Sequence, residues 1–359
     1  MTVANEQIQV QEDTMQDVAI RGLKIYGVSI LASVLVISLV TVLLGYDVPT
    51  VLRTLVTTSF RSSFGFQETV KKTVPLIFTA LAFSIPYRIK FFNIGGVGQF
   101  QVGGIAAAVV GIYLSQLYFL PSIVSIPVLM ICGILAGAFF GYIAAYLRAK
   151  FDINPIISTV MLNFVALQFV DFFSSQEPWT DRAEGHPMTL PLTTEMRPPF
   201  LPGGIPASLI IAILATAFVV ILMNRTRLGY EIKAIGYNLV AAQTHGINFP
   251  KTIVATFVIA GGLGGLGGAL EVLTITGRLV EGFEITSGAQ FGIFGILICL
   301  IAAGNNKAIP LVAFFISVLL VGADALQRTT QLPVELVFVA QALFVIILVT
   351  VRQRMEARN

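Results

Sequence analysis

The chain has 359 residues, of which 56% are hydrophobic and only 11% are charged, whereas roughly a quarter of the residues of an ordinary soluble domain are charged. A mean hydropathy of +0.86 leaves too little polar surface to solvate a compact fold in water, so lipid must be the solvent for much of the chain. The net charge of only +3 argues against a nucleic-acid binder. Both cysteines, Cys132 and Cys299, lie in apolar stretches and are expected to be core residues without a disulfide.

Ten apolar runs follow one another along the chain. A helix needs about 20 mainly apolar residues to cross the hydrocarbon core. The runs lie at 25–45, 70–87, 93–118, 124–147, 155–173, 206–223, 252–273, 289–304, 308–325 and 334–351. The sequence therefore predicts an all-α polytopic membrane protein with about ten transmembrane helices, forming a single transmembrane domain at 25–351.

The segments outside the runs predict the orientation. Residues 1–24 form a polar leader without the pattern of a cleaved signal, and residues 352–359 form a basic tail. If both termini are cytoplasmic, more of the 22 basic residues fall on the inner side than on the outer side, as the positive-inside rule requires. We therefore expect both ends of the chain in the cytoplasm.

Three connections are longer than the rest. Residues 46–69 have the pattern of an amphipathic helix on the outer interface, with Leu52, Leu55, Val56 and Phe60 set against Arg53 and Arg61. Residues 174–205 hold six prolines and the single tryptophan, so they are expected to be an extended external loop. Residues 224–250 form a basic cytoplasmic loop with helical signals of its own.

The common signatures of catalysis and of energy coupling are absent. No P-loop occurs, and the chain therefore does not bind ATP in that way. Gly262 to Gly267 match the dinucleotide pattern G-x-G-x-x-G, but they lie inside an apolar span. The better interpretation is that Gly261, Gly264, Gly265 and Gly268 allow close helix packing. The two histidines, His186 and His245, fall in loops on opposite sides, so no metal site or enzyme is predicted.

Ionisable residues inside spans mark function by default. The candidates are Asp171, Glu271 and Asp324, and each falls near the outer end of its span, where we expect water to solvate it. Proton and sodium relays usually need a charge near the midplane. This placement disfavours an ion-coupled secondary transporter, although broken helices without charge could still hold an ion.

The cytoplasmic segment LGYEIKAIGYNLVAAQTHGIN, residues 228–248, is the most informative. Ile232, Ile235, Leu239 and Ala242 form an apolar stripe that Gly236 interrupts. Asn238 is a good N-cap for a short helix over 239–245, and Gly246 suits the left-handed position that closes it. The segment is therefore either a rigid element that docks a partner or a solvated loop helix.

Two further segments place polar groups at membrane depth. In FFNIGGVGQFQVGG, residues 91–104, the glycines weaken the tendency to form a helix, and Asn93, Gln99 and Gln101 place side-chain amides at membrane depth. This segment is either a flexible element beside a pathway or a site of close packing with amides bonded across helices. In INPIISTVMLNF, residues 153–164, Asn154 caps a helix that starts with Pro155. Its polar side chains Ser158, Thr159 and Asn163 could share one inward face.

These three segments together resemble the permease subunits of bacterial ABC importers for nucleosides and simple sugars, within the branched-chain amino acid and sugar permease superfamily. The resemblance runs from about residue 70 to 350 and rests on FNIG-x-x-GQ from Phe92 to Gln99, NPIISTVMLNF from Asn154 and LGYEIKAIGYN from Leu228. The family usually has an acidic residue where Val97 stands and a more polar residue where Phe294 stands. These two departures could alter substrate choice.

The resemblance implies a non-catalytic permease in the bacterial plasma membrane, without a cofactor of its own. Its partners would be ATP-binding subunits, a second and different permease, an extracytoplasmic solute-binding protein and membrane lipid. The cytoplasmic segment would be the coupling helix that docks into an ATPase groove, with Ala241 and Ala242 facing that groove. The coupling residues would be Glu231, Lys233, Gly236, Asn238, Ala241, Ala242, Gly246 and Asn248.

A hydrogen-bonding solute needs amides and hydroxyls along its path more than charges. The candidates for the translocation pathway are Asn93, Gln99, Ser158, Asn163 and Gln290. The leading hypothesis is thus one permease of an ATP-driven importer for nucleosides, with a pentose, a hexose or another small polar solute as alternative substrates. The competing functions are an ion-coupled secondary transporter that works alone and a receptor-like membrane protein whose outer loop is the working surface.

Overall fold

The structure is a computed structural model that describes residues 45–117, 121–183, 185–283 and 289–330, with isolated positions between 31 and 42 and between 339 and 350. The leader, the basic tail and most of the apolar runs 25–45 and 334–351 lie outside the described residues. The chain divides into two compact units, one of residues 1–58 and 319–359 and the other of residues 59–318.

The described residues are mainly α-helical. The helices are α1 (Val48–Arg61), α2 (Ser63–Tyr87), α3 (Gly96–Leu117), α4 (Ser122–Phe151), α5 (Pro155–Ser175), α6 (Ser208–Arg225), α7 (Arg227–Tyr237), α8 (Leu239–Thr244), α9 (Phe249–Glu271), α10 (Ala289–Ile301) and α11 (Ile309–Thr330). A π-helical turn, Val272–Thr276, continues α9. Strands β1 (Phe200–Leu201) and β2 (Ile205–Pro206) pair antiparallel just before α6, after a 3₁₀ turn at Thr194–Met196.

Six of these helices are long and apolar enough to cross a membrane, counting only the part of the chain that the structure describes. They are α3, α4, α5, α6, α9 with its π-helical turn, and α11. A shorter apolar stretch, Phe291–Ile301, lies in α10. The polytopic all-α fold is therefore confirmed, whereas the number of ten spans and the side of the termini stay predictions.

Helices α2 and α9 form the interior of the 59–318 unit. Every residue from Thr73 to Pro86 in α2 is buried, and so is every residue from Ala260 to Glu271 in α9. A helix that is apolar all round must be surrounded by protein or lipid, and these two are surrounded by protein. By contrast, α4 exposes large side chains such as Ile131, Leu135 and Phe139, which suit contact with lipid.

Rows of glycine bring α4 and α9 into backbone contact. Gly133, Gly137 and Gly141 of α4 recur every fourth residue and therefore share one face. A Cβ at Gly137 would overlap the carbonyl oxygen of Gly261, and a Cβ at Gly133 or Gly141 would collide with α9 in the same way. The expectation that the glycines of α9 serve close helix packing is thus confirmed.

The glycine-rich segment 91–104 is more helical than its sequence suggests. Helix α3 begins at Gly96 and runs without a break through Gly103 and Gly104. A Cβ at Gly103 would overlap the backbone of Gly265. The prediction that these glycines weaken helix is wrong after residue 95, because close packing against α9 stabilises the helix and requires small residues there.

Helix α1 is amphipathic, but not with the predicted face. In the unit of residues 1–58 and 319–359, Val51 and Leu55 are buried with Ala323 and Leu326, whereas Val56 is 51% exposed. The buried positions are four residues apart, so one stripe of the helix packs on α11. Phe60, also expected on the apolar face, is exposed.

Asp47 precedes this helix and caps it. Its carboxylate accepts hydrogen bonds from the backbone N–H of Thr50, at 2.9 Å, and from the Thr50 hydroxyl. These hydrogen bonds lower the pKa of the Asp47 carboxyl, since they favour its ionised form. The first turn of α1 is therefore held by a charged side chain.

The proline-rich loop 174–205 is folded onto the turn after α9, not extended over the surface as predicted. Thr189 and Leu192 donate backbone hydrogen bonds of 2.8 Å to the carbonyls of Leu279 and Gly277. Leu192 and Met196 are buried. Backbone pairing and apolar burial outweigh the proline content here, because prolines exclude helix but permit an irregular packed segment.

Glu271 is 5% exposed, so the expectation that water solvates it at the end of its span is wrong. The reason is that the helical path does not stop there: the π-helical turn carries the chain five residues further. Asp171 and Asp324 are only partly buried.

Candidate functional site

Four capped turns shape the segment between α6 and α9. The Thr226 hydroxyl accepts from the N–H of Gly229 and starts α7. The Asn238 side chain accepts from the N–H of Ala241, at 3.1 Å, and starts α8. Gly246 has a φ of +81°, which closes α8 in the left-handed region. Finally, Asn248 accepts from Lys251 and starts α9. The predicted helix, its N-cap and its closing glycine are confirmed.

One face of this segment lies against the rest of the unit. Ile232, Ile235 and Ala242 are at most 6% exposed. A Cβ at Gly236 would overlap the carbonyl oxygen of Arg88, which follows α2. Gly236 is buried within α7, and its lack of a side chain lets α7 contact the turn after α2.

Polar contacts also hold α7 against its neighbours. Glu231 forms a 2.8 Å ion pair with Arg227 and accepts a 3.2 Å hydrogen bond from the hydroxyl of Thr252 on α9. Lys233 donates to the side chain of Asn224 at 2.9 Å. The segment is thus bonded to α6 and α9 and packed against the turn after α2.

The opposite face exposes apolar side chains outside the spans. Tyr237 is 88% exposed, Val240 70% and Tyr230 68%, and Leu239 is also exposed at 37%. Leu239 was predicted on the same apolar stripe as Ile232 and Ile235, but it starts a separate helix after the extended backbone of Asn238. Ala241 and Gly246 share this exposure, whereas Ala242 faces inward. The expectation that Ala242 faces a partner groove is therefore wrong.

The candidate pathway residues on the glycine-rich segment are paired with each other. Asn93 and Gln99 are buried and exchange two side-chain hydrogen bonds, of 3.1 and 3.2 Å. Asn93 also donates to the carbonyl of Ala82 on α2, at 3.3 Å. In this conformation the side-chain amides of Asn93 and Gln99 bind protein groups, as the packing alternative predicts, whereas the buried Oε1 of Gln101 has no partner among the described residues.

Asn163 joins α5 to the same segment. Its Oδ1 accepts from the N–H of Gly98 at 2.8 Å, and its Nδ2 donates to the carbonyl of Ile94 at 3.0 Å. The hydroxyl of Ser158, on the same helix, bonds to the carbonyl of Pro155. Gln290 lies in the first turn of α10, apart from these residues in sequence. The structure thus brings three of the five candidates together as Asn93, Gln99 and the bridging Asn163.

The two positions that depart from the family pattern are both buried, Val97 at 8% and Phe294 at 5% exposure. Val97 packs directly against α10, where a Cβ at Gly292 would meet its side chain. A valine can fill this contact without the hydrogen-bond partners that an acidic side chain would need.

Sequence reasoning missed a cavity of about 970 Å³ beside α7. Its lining comes from separate parts of the chain, which no local signal connects. The lining residues are Tyr87, Arg88, Lys90, Phe92, Val220, Met223, Asn224, Lys233, Gly236, Tyr237, Ala303, Asn305, Asn306 and Lys307. In the part of the chain that is described, no three His, Cys, Asp or Glu residues cluster to hold a metal ion.

Comparison with known proteins identifies the family. A family model described as the permease component of branched-chain amino acid transport systems matches residues 65–351. The chain belongs to this family. Because the match includes all six helices that could cross a membrane in the described part of the chain, the chain is a multi-pass protein of the inner membrane.

Individual relatives cover most of this permease. A glucose ABC transporter permease of Haloferax volcanii is 30% identical, over 80% of this chain and 77% of its own length. A nucleoside ABC transporter permease of Lactococcus lactis is 29% identical, over 78% of each chain. A guanosine ABC transporter permease of Bacillus subtilis is 28% identical, over 86% of this chain and 88% of its own. No solved structure matches the chain.

Proposed function

We propose that this permease is the non-catalytic transmembrane subunit of an ATP-driven importer for nucleosides or related sugars. ATP would be bound by separate ATPase subunits, a second permease would complete the pathway, and an extracytoplasmic binding protein would deliver the solute. The similarity to nucleoside, guanosine and glucose ABC permeases over more than three quarters of the chain carries this proposal.

The capped segment supports ATPase coupling. An element can transmit force only if it is rigid and packed against its neighbours. Helices α7 and α8 have capped N-termini, and α7 is hydrogen-bonded to α9 and packs on the turn after α2. Their exposed face offers Tyr230, Tyr237 and Val240 to a partner. The residues proposed to couple the permease to the ATPase remain Glu231, Lys233, Gly236, Asn238, Ala241, Gly246 and Asn248. Ala242 is buried and supports the segment from inside the protein.

The named solutes of the relatives narrow the substrate class. Glucose and guanosine share a hydroxylated sugar ring, which is recognised by hydrogen bonds rather than by charge. The proposed pathway residues remain Asn93, Gln99, Ser158, Asn163 and Gln290. The amides of Asn93, Gln99 and Asn163 would have to exchange their present partners for the solute during transport, so their role requires a second conformation.

Reconstitution tests the function. In vesicles with its ATPase, second permease and binding protein, the wild-type permease should import nucleoside only when ATP is present. Val240→Arg places a charge on the exposed face and should abolish both uptake and the stimulation of ATP hydrolysis, while the subunit stays folded. The matched control is Ile153→Arg, which adds the same charge at an exposed position in the connection between α4 and α5 and should leave both activities unchanged.

The competing functions give different results. Uptake by the permease alone, driven by a proton or sodium gradient, would identify a secondary transporter. Uptake and ATP hydrolysis that are normal in Val240→Arg would show that the exposed face is not the coupling surface. Ala242→Arg is expected to unfold the segment instead, because it buries a charge without a partner.

A further inference from the structure

The 970 Å³ cavity beside the coupling segment has a strongly basic lining. Arg88, Lys90, Lys233 and Lys307 line it, and among the described residues no aspartate or glutamate does. Within the same part of the chain, the side chains of Lys90 and Lys307 have no ion-pair partner. The volume is at the upper end of the range for ligand pockets, roughly 300–1,000 Å³. The cavity can therefore hold a group of considerable size and of negative charge.

Helix termini supply part of the compensating charge. The cavity is lined by residues at or just after the C-terminal ends of α2, α6, α7 and α10. Each end carries a partial charge of about −0.5, so four bring about −2. The four basic side chains bring +4. The helix dipoles thus offset only about half of the positive charge, and the remaining positive charge favours the binding of an anion.

Two buried polar atoms in the lining also lack a hydrogen-bond partner in the ranges that the structure describes. Asn306 is 6% exposed and its Oδ1 is one of these atoms, and the buried Nε of Arg88 is the other. Leaving such groups unsatisfied costs stability. The Arg88 Nε needs an acceptor, and the carboxamide of Asn306 can offer either its oxygen or, after rotation, its N–H groups. Both side chains line the cavity, so a phosphate with adjoining hydroxyls would bind these groups once the two side chains rotate toward it.

We propose that this cavity binds a phosphate-bearing anion, either the headgroup of an anionic phospholipid or a free phosphate. Basic pockets between transmembrane helices on the cytoplasmic side commonly bind anionic headgroups. Phe92, Val220 and Met223 provide apolar lining next to the basic groups, as the glycerol and upper acyl region of a lipid would need. The orientation toward the inner leaflet rests on the topology proposed above, whereas the binding chemistry does not.

The bound anion holds the coupling segment in place. Arg88 and Lys90 follow α2, Lys233 lies on α7 and Lys307 precedes α11. The Arg88 side chain already donates to the carbonyl of Gly304, and its own carbonyl lies against Gly236. An anion between these side chains joins α7 to two other parts of the unit. Occupancy therefore regulates how firmly the ATPase docking element is attached.

Thermal unfolding and ligand retention test the site on the purified permease. The protein is placed in nanodiscs of phosphatidylcholine, alone or mixed with phosphatidylglycerol. A further sample in phosphatidylcholine receives inorganic phosphate and is compared with chloride at equal ionic strength. Native mass spectrometry then counts retained lipid. Stabilisation by phosphatidylglycerol alone identifies a lipid site, and stabilisation by inorganic phosphate identifies a free-anion site; both support the proposal.

The variants locate the binding. Lys307→Gln removes one lining charge, and Lys251→Gln removes one exposed charge on α9 outside the lining. Lys307→Gln should weaken binding about ten-fold for the ligand that stabilises the wild type, as expected for a lost charge-assisted contact. Lys251→Gln should leave binding of that ligand unchanged. Equal weakening by both, or no effect of either ligand on the wild type, would overturn the proposal. These assays use neither ATPase nor transport, so their failure leaves the importer function untouched.

Discussion

Gly137 shows how one missing side chain decides a helix contact. In Gly137→Ala the new methyl group would meet the carbonyl of Gly261 and the backbone of Gly265. Overpacking of this kind costs about 1–3 kcal/mol, so the thermal unfolding temperature in detergent should fall. Gly96→Ala is the control, because a Cβ there has no neighbour within 4 Å. Equal unfolding temperatures for the two variants would contradict the close packing of α4 and α9.

Asn163 makes a second, polar link between helices. Asn163→Leu removes the acceptor of the Gly98 N–H and the donor to the Ile94 carbonyl. Each part-buried group left unsatisfied costs about 1–3 kcal/mol, so stability should decrease as well as transport. The measurement is thermal unfolding, with the exposed Gln168→Leu on the same helix as control. A variant as stable as wild type that transports poorly would assign Asn163 to the pathway alone.

The stability of helix α8, which has only six residues, depends mainly on its N-cap, Asn238. Helices this short are marginal without tertiary support. Asn238→Ala removes the side-chain acceptor of the Ala241 N–H and should cost about 0.5–2 kcal/mol of local stability. Hydrogen exchange at residues 241–245 should accelerate, while exchange in α9 stays slow. Gln243→Ala, exposed on the same helix, serves as the control. Unchanged exchange in Asn238→Ala would mean that packing of Ala242 alone holds the helix.

Helix α3 shows where local and tertiary preferences conflict. Glycines destabilise an isolated helix by roughly 0.5–1 kcal/mol each relative to alanine, so the sequence favours irregular backbone at 91–104. In the fold, a Cβ at Gly103 would overlap the backbone of Gly265 on α9, and a Cβ at Gly104 would make tight contacts, 3.1 Å from Val272 and 3.2 Å from Phe283. Packing of the two helices against each other stabilises α3 by more than its low intrinsic propensity costs, and the helix forms.

The orientation of the chain is open to a direct test. In a background without Cys132 and Cys299, single cysteines at Arg182 and Gln243 can be labelled with a reagent that does not cross the membrane. Both positions are exposed and lie outside the helices that could cross the bilayer. The cysteine at 182 should react from outside intact cells, and the cysteine at 243 only after the cells are opened. Labelling of both from the same side would contradict the ten-span topology.

Sequence alone determined the class of the protein and much of its local structure. Composition required a membrane environment, and apolar runs predicted each of the helices α2 to α6 and α9 to α11. Asn238 and Gly246 marked the ends of α8 correctly, because caps act over only three or four residues. The motifs around Phe92, Asn154 and Leu228 pointed to the family that the comparison established.

Tertiary structure alone decided which faces meet. Ala242 faces inward and Val240 outward, the outer loop folds onto the turn after α9, and Asn93 pairs with Gln99. The basic cavity unites Arg88, Lys233 and Lys307, which are more than 70 positions apart from one another in the chain. Local signals carry no information about such neighbours, because their contact depends on how whole helices pack. Periodicity predicts that a helix has an apolar face; the packing determines what that face contacts.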